Sequence, residues 1–162
     1  MRRLADIDWT NWQAKDPATL VFVFRDDEVL LIDKKTGLGK GKINAPGGKV
    51  DPGETPEEAA IRECREELLI EVRNLEYCGE HRFQFVDGYS IHVHVYRTRD
   101  FEGEPTETRE AAPRWCGIDR IPFERMWEDD PTWFPHMLEG HLVPDAIAIL
   151  GSLNIIAGEL DR

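Results

Sequence analysis

The 162-residue sequence has few cysteines and no long apolar run. Cysteine occurs only at Cys64, Cys78 and Cys116, without any CxxC pair, which is typical of a reduced, cytoplasmic protein and not of a disulfide-linked secreted one. No apolar run approaches the ~18–20 residues of a transmembrane helix. The N-terminus lacks the apolar segment of a secretory signal. We therefore predict a cytoplasmic protein with no membrane partner.

Positive charge is also scarce. The chain has 20 Lys and Arg residues and 32 Asp and Glu residues, which gives a net charge of −12. Such a surface repels polynucleotide backbones, so we expect no nucleic-acid polymer as a partner. A small anionic substrate stays compatible with this charge if metal ions shield the acids. Repeats, low-complexity tracts and linkers are missing as well. The length predicts one domain, 1–162, in which residues 1–17 form a polar lead-in. The sequence does not distinguish monomer from dimer.

The apolar pattern predicts strands with helices packed outside them. Two apolar runs around Asp26 and Asp27 indicate a hairpin. Thr55 as N-cap and Glu58 as its capping-box partner predict a helix that runs to about Leu68. A second helix is expected over Thr132–Glu139. Other predicted strands lie near Ile43, Lys49–Val50, Glu71–Tyr77, Glu80–Val86, Ser90–Arg99 and Arg114–Gly117, and in the segment DAIAILG. This order predicts an α/β/α sandwich around a mixed β-sheet.

The first predicted helix contains an unusual concentration of glutamates, in the segment RECREELLIEV. Glu63, Glu66 and Glu67 occupy positions i, i+3 and i+4 and therefore share one face. Like-charge neighbours at these spacings each cost roughly 0.2–0.5 kcal/mol. A solvated helix face is the simplest interpretation. The alternative is a magnesium site, because Mg²⁺ prefers oxygen ligands and would turn the repulsion into attraction.

Residues upstream extend this helix into a longer pattern. Gly47 and Gly48 allow the backbone to approach an ion or a phosphate. Glu54 precedes Arg62 by eight residues, a spacing that allows an ion pair between loop and helix. The whole pattern, Gly48-x5-Glu54-x7-Arg62-Glu63-Cys64-x-Glu66-Glu67, resembles the Nudix box, G-x5-E-x7-R-E-U-x-E-E-x-G-U, in which U is apolar. The chain is therefore identified as a member of the Nudix hydrolases, and the Nudix fold is expected.

Two residues depart from the Nudix pattern. Cys64 replaces an aliphatic residue, which is a mild change because a buried cysteine behaves as a small hydrophobe. Leu69 replaces the glycine that usually follows the helix. A leucine in the left-handed conformation costs about 1 kcal/mol or more, so we expect the helix to end in a different way.

The resemblance implies hydrolysis of a diphosphate bond with Mg²⁺ as cofactor, for which Mn²⁺ can substitute. The residues that it assigns are Glu54 and Arg62, which orient the helix, and Gly47, Glu63, Glu66, Glu67 and Glu110, which bind or adjoin the ion. Gly47 would contribute its carbonyl oxygen. Glu110 is the candidate for a further acid from the loop that follows the long strand.

Two more segments are similar to one branch of the family, the MutT-related 8-oxo-dGTP diphosphatases. KINAPGGKV and MWEDDPTWFP stand where that branch has WNGFGGKV and MWPDD..YWFP, and the similarity covers roughly residues 18–150. It implies a base pocket made by Asn44, Trp127, Asp129 and Asp130, with Leu38 in place of a phenylalanine. Lys34 is a candidate phosphate contact. Ile43 and Ala45-Pro46 also depart from this branch.

The function implied by the resemblance is cleavage of purine nucleoside triphosphates, oxidised forms above all, to the monophosphate and pyrophosphate, as sanitation of the nucleotide pool. A nucleotide-sugar or ADP-ribose diphosphatase is the alternative. A non-catalytic nucleotide sensor is disfavoured because every metal-binding acid is present.

His92 and His94 lie on one face of a predicted strand, a spacing that suits a transition metal. No third ligand stands at motif spacing. Packing within the sheet is therefore the favoured interpretation of these two histidines.

Overall fold

The computed structural model describes residues 7–85, 88–127 and 130–140, together with the backbone of 147–148. The strands are β1 (Asp16–Arg25), β2 (Glu28–Lys34), β3 (Ile43–Asn44), β4 (Glu71–Arg73), β5 (Glu76–Gln84), β6 (Ser90–Thr98), β7 (Asp100–Glu102), β8 (Ala111–Gly117) and β9 (Ile147–Ala148). The helices are α1 (Pro56–Leu68) and α2 (Asp130–Leu138), and a 3-10 turn at Phe123–Arg125 precedes α2. Within these ranges, no helix is long and apolar enough to cross a membrane.

Seven strands form one mixed sheet in the order β3-β2-β1-β6-β5-β9, and β8 pairs with β2. The central pair, β1 and β6, is parallel, with Asp16 opposite Ile91 and Val23 opposite Thr98. β5 and β6 are antiparallel, as are β1 and β2. β4 and β7 form a separate two-stranded sheet.

Both faces of the large sheet are covered, which explains the nearly continuous apolar runs in β1 and β2. Val21 and Val23 of β1 point into one core, which contains Cys64 and Leu68 of α1. Phe22 and Phe24 point into the other core, which contains Trp133, Phe134 and Met137 of α2. Successive side chains of a strand alternate between faces, so β1 contributes to both cores. The predicted α/β/α sandwich around a mixed sheet is confirmed.

Helix α1 begins as predicted. The Thr55 hydroxyl accepts a hydrogen bond from the Glu58 backbone N–H at 3.1 Å, and the Glu58 carboxylate accepts one from the Thr55 N–H at 3.2 Å. Together they form a capping box. The buried Cys64 packs as a small apolar side chain in the core.

The end of α1 contradicts the prediction for Leu69. This residue adopts the left-handed conformation, with φ 58° and ψ 35°, and its N–H donates to the Arg65 carbonyl at 3.0 Å. The leucine side chain is 59% exposed, so it meets no packing conflict that would force another ending. The chain then turns so that Ile70 and Val72 are buried in the core.

Several strand boundaries differ from those predicted. The strand expected over Glu71–Tyr77 stops at Arg73, because Asn74 has a positive φ of 52° and turns the chain. β5 therefore starts at Glu76, with a register shift between Tyr77 and Gly79. Residues 49–50 form only an isolated bridge, from Lys49 to Ala18.

Several other strands and helices begin at residues that differ from the predicted ones. β1 begins at Asp16, inside the expected lead-in, and β7 was not predicted. β8 begins at Ala111 and α2 at Asp130, each a few residues earlier than expected. Val86 and most of the segment DAIAILG lie outside the described residues.

Candidate active site

The two glycines before α1 bring a loop against β1 and the helix. The Gly48 carbonyl accepts a hydrogen bond from the Thr19 N–H at 2.8 Å. A Cβ atom on Gly47, whose φ is 151°, would lie 2.0 Å from the Thr19 carbonyl oxygen. A Cβ on Gly48 would lie 2.6 Å from the carboxylate of Glu63. Both positions therefore require glycine for the loop to cover the glutamates of α1.

Three carboxylates meet below this loop. Ligand oxygens of Glu63, Glu67 and Glu110 all lie within 4.8 Å of one another. Glu67 is only 3% exposed, and its Oε1 accepts a hydrogen bond from the Gly47 N–H at 3.0 Å. Burial, and to a smaller extent the nearby Glu63 charge, raise the pKa of Glu67 to about 8 against the opposing effect of that hydrogen bond.

Glu63, the second carboxylate of the cluster, is half-buried. Burial raises its pKa above the usual range, although the hydrogen bond from Arg62 acts in the opposite direction. Ionising all three of these neighbouring carboxylates is energetically unfavourable unless a cation neutralises their charge. Oxygen donors that converge on one point are the ligands of a hard divalent ion, so this donor set fits such an ion.

Glu66, by contrast, is not brought into the cluster. Its side chain is 49% exposed, and its Oε2 accepts a hydrogen bond from Arg62 Nη1 at 3.2 Å. Glu66 lies beside Glu110 and Thr108 around a shallow opening. Its place is at the edge of the acidic site.

Arg62 connects the loop to the helix, as the eight-residue spacing indicates. Its Nε and Nη2 donate to the two carboxylate oxygens of Glu54 at 2.8 and 2.9 Å. Nη1 donates to Glu63 Oε1 at 3.0 Å, and Nη2 also reaches the Lys49 carbonyl. The hydrogen bonds from Arg62 lower the pKa of Glu54 to about 2. The bidentate ion pair with Glu54 thus holds the Arg62 guanidinium in place, and its single hydrogen bond to Glu63 orients that carboxylate.

The loop that contains Glu110 docks on the C-terminal end of α1. The Thr108 hydroxyl donates to the Glu67 carbonyl at 2.7 Å, and the Thr106 N–H donates to the Leu68 carbonyl at 2.9 Å. These bonds satisfy carbonyls that a helix end leaves without partners. Lys35 holds the same loop through two hydrogen bonds of 2.9 Å. Its side-chain ammonium donates to the Thr108 carbonyl, and its backbone N–H donates to the Glu110 carbonyl. Sequence reasoning missed both threonines.

A pocket adjoins the acids. Its apolar wall consists of Leu20, Leu38, Phe83, Phe85, Ile91, Val93, Trp127 and Trp133, and its polar side chains are Thr19, Lys34, Asn44 and Asp130. Lys34 and Leu38 also line the cleft that contains Glu63, Glu67 and Glu110. The pocket and the acidic cluster are therefore continuous. The aromatic and aliphatic residues of β5 and β6 had no chemical signature that would have marked them in the sequence.

The polar side chains of the pocket differ in how many hydrogen bonds they already make to the protein itself. Asn44 Oδ1 accepts from the Ala45 N–H at 2.8 Å, and no described residue hydrogen-bonds the Asn44 side-chain nitrogen. Asp130 is buried; its Oδ2 accepts from the Trp127 N–H and its Oδ1 from the Trp133 indole N–H, both at 3.1 Å. Asp130 therefore also fixes the start of α2. Asp129 lies outside the described residues.

Trp127 is held at the pocket edge by two neighbours. The Lys42 ammonium lies 5.1 Å from the centre of its ring. A Cβ on Gly39 would lie only 3.2 Å from the indole nitrogen, so the glycine lets the loop pass close to the ring. An indole in this position is available for stacking on a flat ligand.

Comparisons with known proteins agree with this geometry. Residues 14–137 match the NUDIX domain. The chain is 48% identical over 122 residues to the oxidized purine nucleoside triphosphate hydrolase of Danio rerio, covering 75% of this chain and 78% of that protein. It is 43% identical, over the same length and shares, to the protein of that name from Mus musculus. A solved structure of a MutT protein from Bacillus halodurans is similar, with a TM-score of 0.77 and 26% identity, covering 88% of this chain and 95% of that one. The chain belongs to the NUDIX family.

Proposed function

We propose that this chain hydrolyses oxidised purine nucleoside triphosphates, such as 8-oxo-dGTP, to the nucleoside monophosphate and pyrophosphate. The observation that supports this most directly is the continuity of the acidic cluster, in which Glu67 is buried, with an aromatic pocket. The chain is also 48% identical to a relative whose name states that substrate class. Removal of oxidised nucleotides from the pool is the role that follows.

Mg²⁺ is the cofactor in this proposal, and Mn²⁺ is its expected substitute. Glu63, Glu67 and Glu110 would hold the ion, with Glu66 at the edge and the Gly47 carbonyl as a further ligand. When bound, a divalent ion neutralises phosphate oxygens and lowers the pKa of water. The chain's own contribution is to bring three carboxylates together, with Glu67 buried and Glu63 half-buried, so that a cation would relieve their mutual repulsion.

Lys34 and Arg62 support the same chemistry in different ways. Lys34 lines both the pocket and the acidic cleft, and in this proposal its ammonium would contact phosphate oxygens of a nucleotide that spans the two. Arg62 is a positioning residue, because its bonds to Glu54 and Glu63 hold the loop and the carboxylate in one arrangement.

The purine would occupy the pocket between Leu38 and Trp127. The Asn44 amide nitrogen offers a donor to the base edge, while Asp130, and Asp129 beside it in sequence, are assigned to the remaining positions of that edge. A site built on hydrogen bonds rejects a mismatched edge because buried polar groups are left without partners, at ~1–3 kcal/mol each. Oxidation of guanine changes that edge, so discrimination is expected here.

The remaining parts of the proposal concern location and partners. Three buried, free cysteines support a reducing compartment, and we place the protein in the cytoplasm. The net charge of −12 supports free nucleotides over nucleic-acid polymers as substrates.

A substrate panel tests the proposal. Wild-type protein would be assayed with 8-oxo-dGTP, dGTP, dCTP, ADP-ribose and a nucleotide sugar, with separate detection of pyrophosphate and orthophosphate. We expect the highest kcat/KM for 8-oxo-dGTP, with pyrophosphate released. Glu67→Gln, purified in parallel, is the control for contaminating phosphatases. A higher kcat/KM for ADP-ribose or the sugar nucleotide would contradict the proposal and favour the alternative diphosphatase.

A further inference from the structure

A second group of metal-ligating side chains lies on β5 and β6 and shares no residue with the acidic cluster. His92 and His94 are two residues apart on β6 and so face the same side of the sheet. Glu80 stands directly opposite His94 in the antiparallel register of β5 and β6. Ligand atoms of all three residues lie within 4.8 Å of one another. Glu80 thus stands where a third ligand would be, which the sequence spacing did not reveal.

The separations suit one ion. Glu80 Oε2 lies 3.4 Å from His92 Nε2 and 3.9 Å from His94 Nδ1. A tetrahedral ion with bonds of about 2.0–2.2 Å keeps its ligand atoms roughly 3.3–3.6 Å apart. Small side-chain rotations would therefore bring the three atoms to bonding distance, and the fourth position would remain for water.

The hydrogen bonding of the group is incomplete. His92 Nε2 is buried and, within the described part of the chain, has no hydrogen-bond partner, although Glu80 Oε2 lies 3.4 Å away. Buried polar atoms without partners are rare in native proteins and call for an explanation such as a bound ion. The ring of Trp12 stands edge-on to His92 at 6.3 Å and adds to its cover.

Neighbouring side chains orient the Glu80 carboxylate. Its Oε2 accepts a hydrogen bond from the Tyr77 hydroxyl at 3.0 Å. Arg82 faces the other carboxylate oxygen, Oε1, at 3.8 Å and leaves Oε2 towards the histidines.

We propose that Glu80, His92 and His94 form a metal site for Zn²⁺ or a similar first-row transition ion, distinct from the acidic cluster. Two imidazoles and one carboxylate suit Zn²⁺, whereas Mg²⁺ prefers an all-oxygen set such as Glu63, Glu67 and Glu110. A bound ion would join β5 to β6 and stabilise the folded protein by an amount that grows with the logarithm of the ion concentration above Kd. This proposal does not depend on the substrate of the enzyme.

Calorimetric titration with Zn²⁺ tests the site. Wild-type protein and the double variant Glu63→Gln/Glu67→Gln would both be titrated in excess Mg²⁺. Mg²⁺ then occupies the acidic cluster of the wild type, and the double variant lacks two of the carboxylates of that cluster. We expect one Zn²⁺ per chain in both. Adding Glu80→Gln, His92→Gln or His94→Gln to either should weaken binding at least about tenfold and remove the rise in Tm that Zn²⁺ produces. His136→Gln, at an exposed histidine of α2, is the matched control and should bind as wild type does.

Three results would overturn the proposal: no Zn²⁺ binding by wild-type protein, unchanged binding in the Glu80, His92 and His94 variants, or loss of binding with the double variant alone. Melting curves in EDTA verify that each variant is folded. If one of the three substitutions prevents folding, the other two still decide the outcome, because each removes a different ligand.

Discussion

Glu67 offers a sharp test of how the acidic cluster is built. The residue is 3% exposed and its Oε1 accepts a hydrogen bond from the Gly47 N–H. Glu67→Gln keeps the size of the side chain and an oxygen for that hydrogen bond, and it removes only the negative charge. The substitution should therefore abolish activity and yet stabilise the metal-free protein at alkaline pH.

The expected size of this effect follows from the pKa. Burial raises the pKa of Glu67 from 4.5 to about 8. At ~1.4 kcal/mol per pKa unit, ionising the buried carboxyl opposes folding by roughly 3–5 kcal/mol. In the unfolded chain the group loses its proton near its ordinary pKa, but in the folded chain it keeps the proton until about 8. Glu67 therefore makes the stability of the metal-free wild type fall between about pH 4.5 and about pH 8, and the glutamine variant lacks this contribution of Glu67.

Urea unfolding in EDTA measures the difference. Near pH 5 the two proteins should have similar free energies of unfolding, and near pH 9 the variant should be more stable by a few kcal/mol. Added Mg²⁺ should stabilise wild type only and so reduce the gap. Glu66→Gln, at the exposed edge of the site, is the matched control and should leave the free energy of unfolding in EDTA close to that of wild type. A Glu67→Gln protein that is no more stable than wild type at pH 9 would refute the reasoning.

Three further substitutions have distinct expected results. Arg62→Ala should lower both turnover and Tm. Because the pKa of Glu54 is lowered to about 2, the ion pair stabilises the fold fully above about pH 4.5 and progressively less as the pH falls towards 2. The melting curves of wild type and variant should therefore converge in acid. Leu69→Gly should raise the free energy of urea unfolding by about 1 kcal/mol, because glycine adopts the left-handed conformation without strain and the leucine is mostly exposed. Asp130→Asn should leave one of its two tryptophan N–H donors without an acceptor, lowering stability by ~1–3 kcal/mol and raising KM for 8-oxo-dGTP more than for dCTP.

Each expectation has a result that contradicts it. An Arg62→Ala protein with wild-type Tm and turnover would remove the ion pair from the description of the site. A destabilised Leu69→Gly protein would mean that the leucine side chain packs usefully where it is. Equal losses on the two nucleotides for Asp130→Asn would mean that Asp130 fixes α2 without reading the base.

The features that the sequence predicted well depend on local geometry. The capping box of α1 involves residues three apart, and the Arg62–Glu54 pair spans only the N-cap and the first turns of α1. The sandwich follows from apolar runs in β1 and β2 that only a sheet covered on both faces explains. In each case neighbours in sequence determine the contact.

Glu66 shows where local geometry is insufficient. Successive residues of a helix are about 100° apart around its axis, so Glu66 and Glu67 share a broad face but point in different directions. The loop through Gly47 and Gly48 covers only the side of Glu67 and Glu63, and this depends on how the loop packs against β1. A count of spacings could not separate a buried glutamate from its exposed neighbour.

Contacts between strands were beyond the sequence for a similar reason. Glu80 faces His94 only because β5 starts at Glu76 and shifts its register between Tyr77 and Gly79. The left-handed Leu69 was missed because a backbone cost of about 1 kcal/mol is small compared with the burial of Ile70 and Val72 that follows the turn.

The role of the acidic cluster in hydrolysis can be decided by one series of rate measurements. Turnover of 8-oxo-dGTP would be followed for the wild type in Mg²⁺, after excess EDTA, and after Mg²⁺ is restored, with Glu67→Gln at saturating Mg²⁺ alongside. We predict complete loss in EDTA, full recovery with Mg²⁺, and a turnover for Glu67→Gln at least ~10²-fold lower, equivalent to about 2.7 kcal/mol of transition-state stabilisation. Full activity in excess EDTA, or wild-type turnover by Glu67→Gln, would contradict the assignment of Glu63, Glu67 and Glu110 as the site of the catalytic ion.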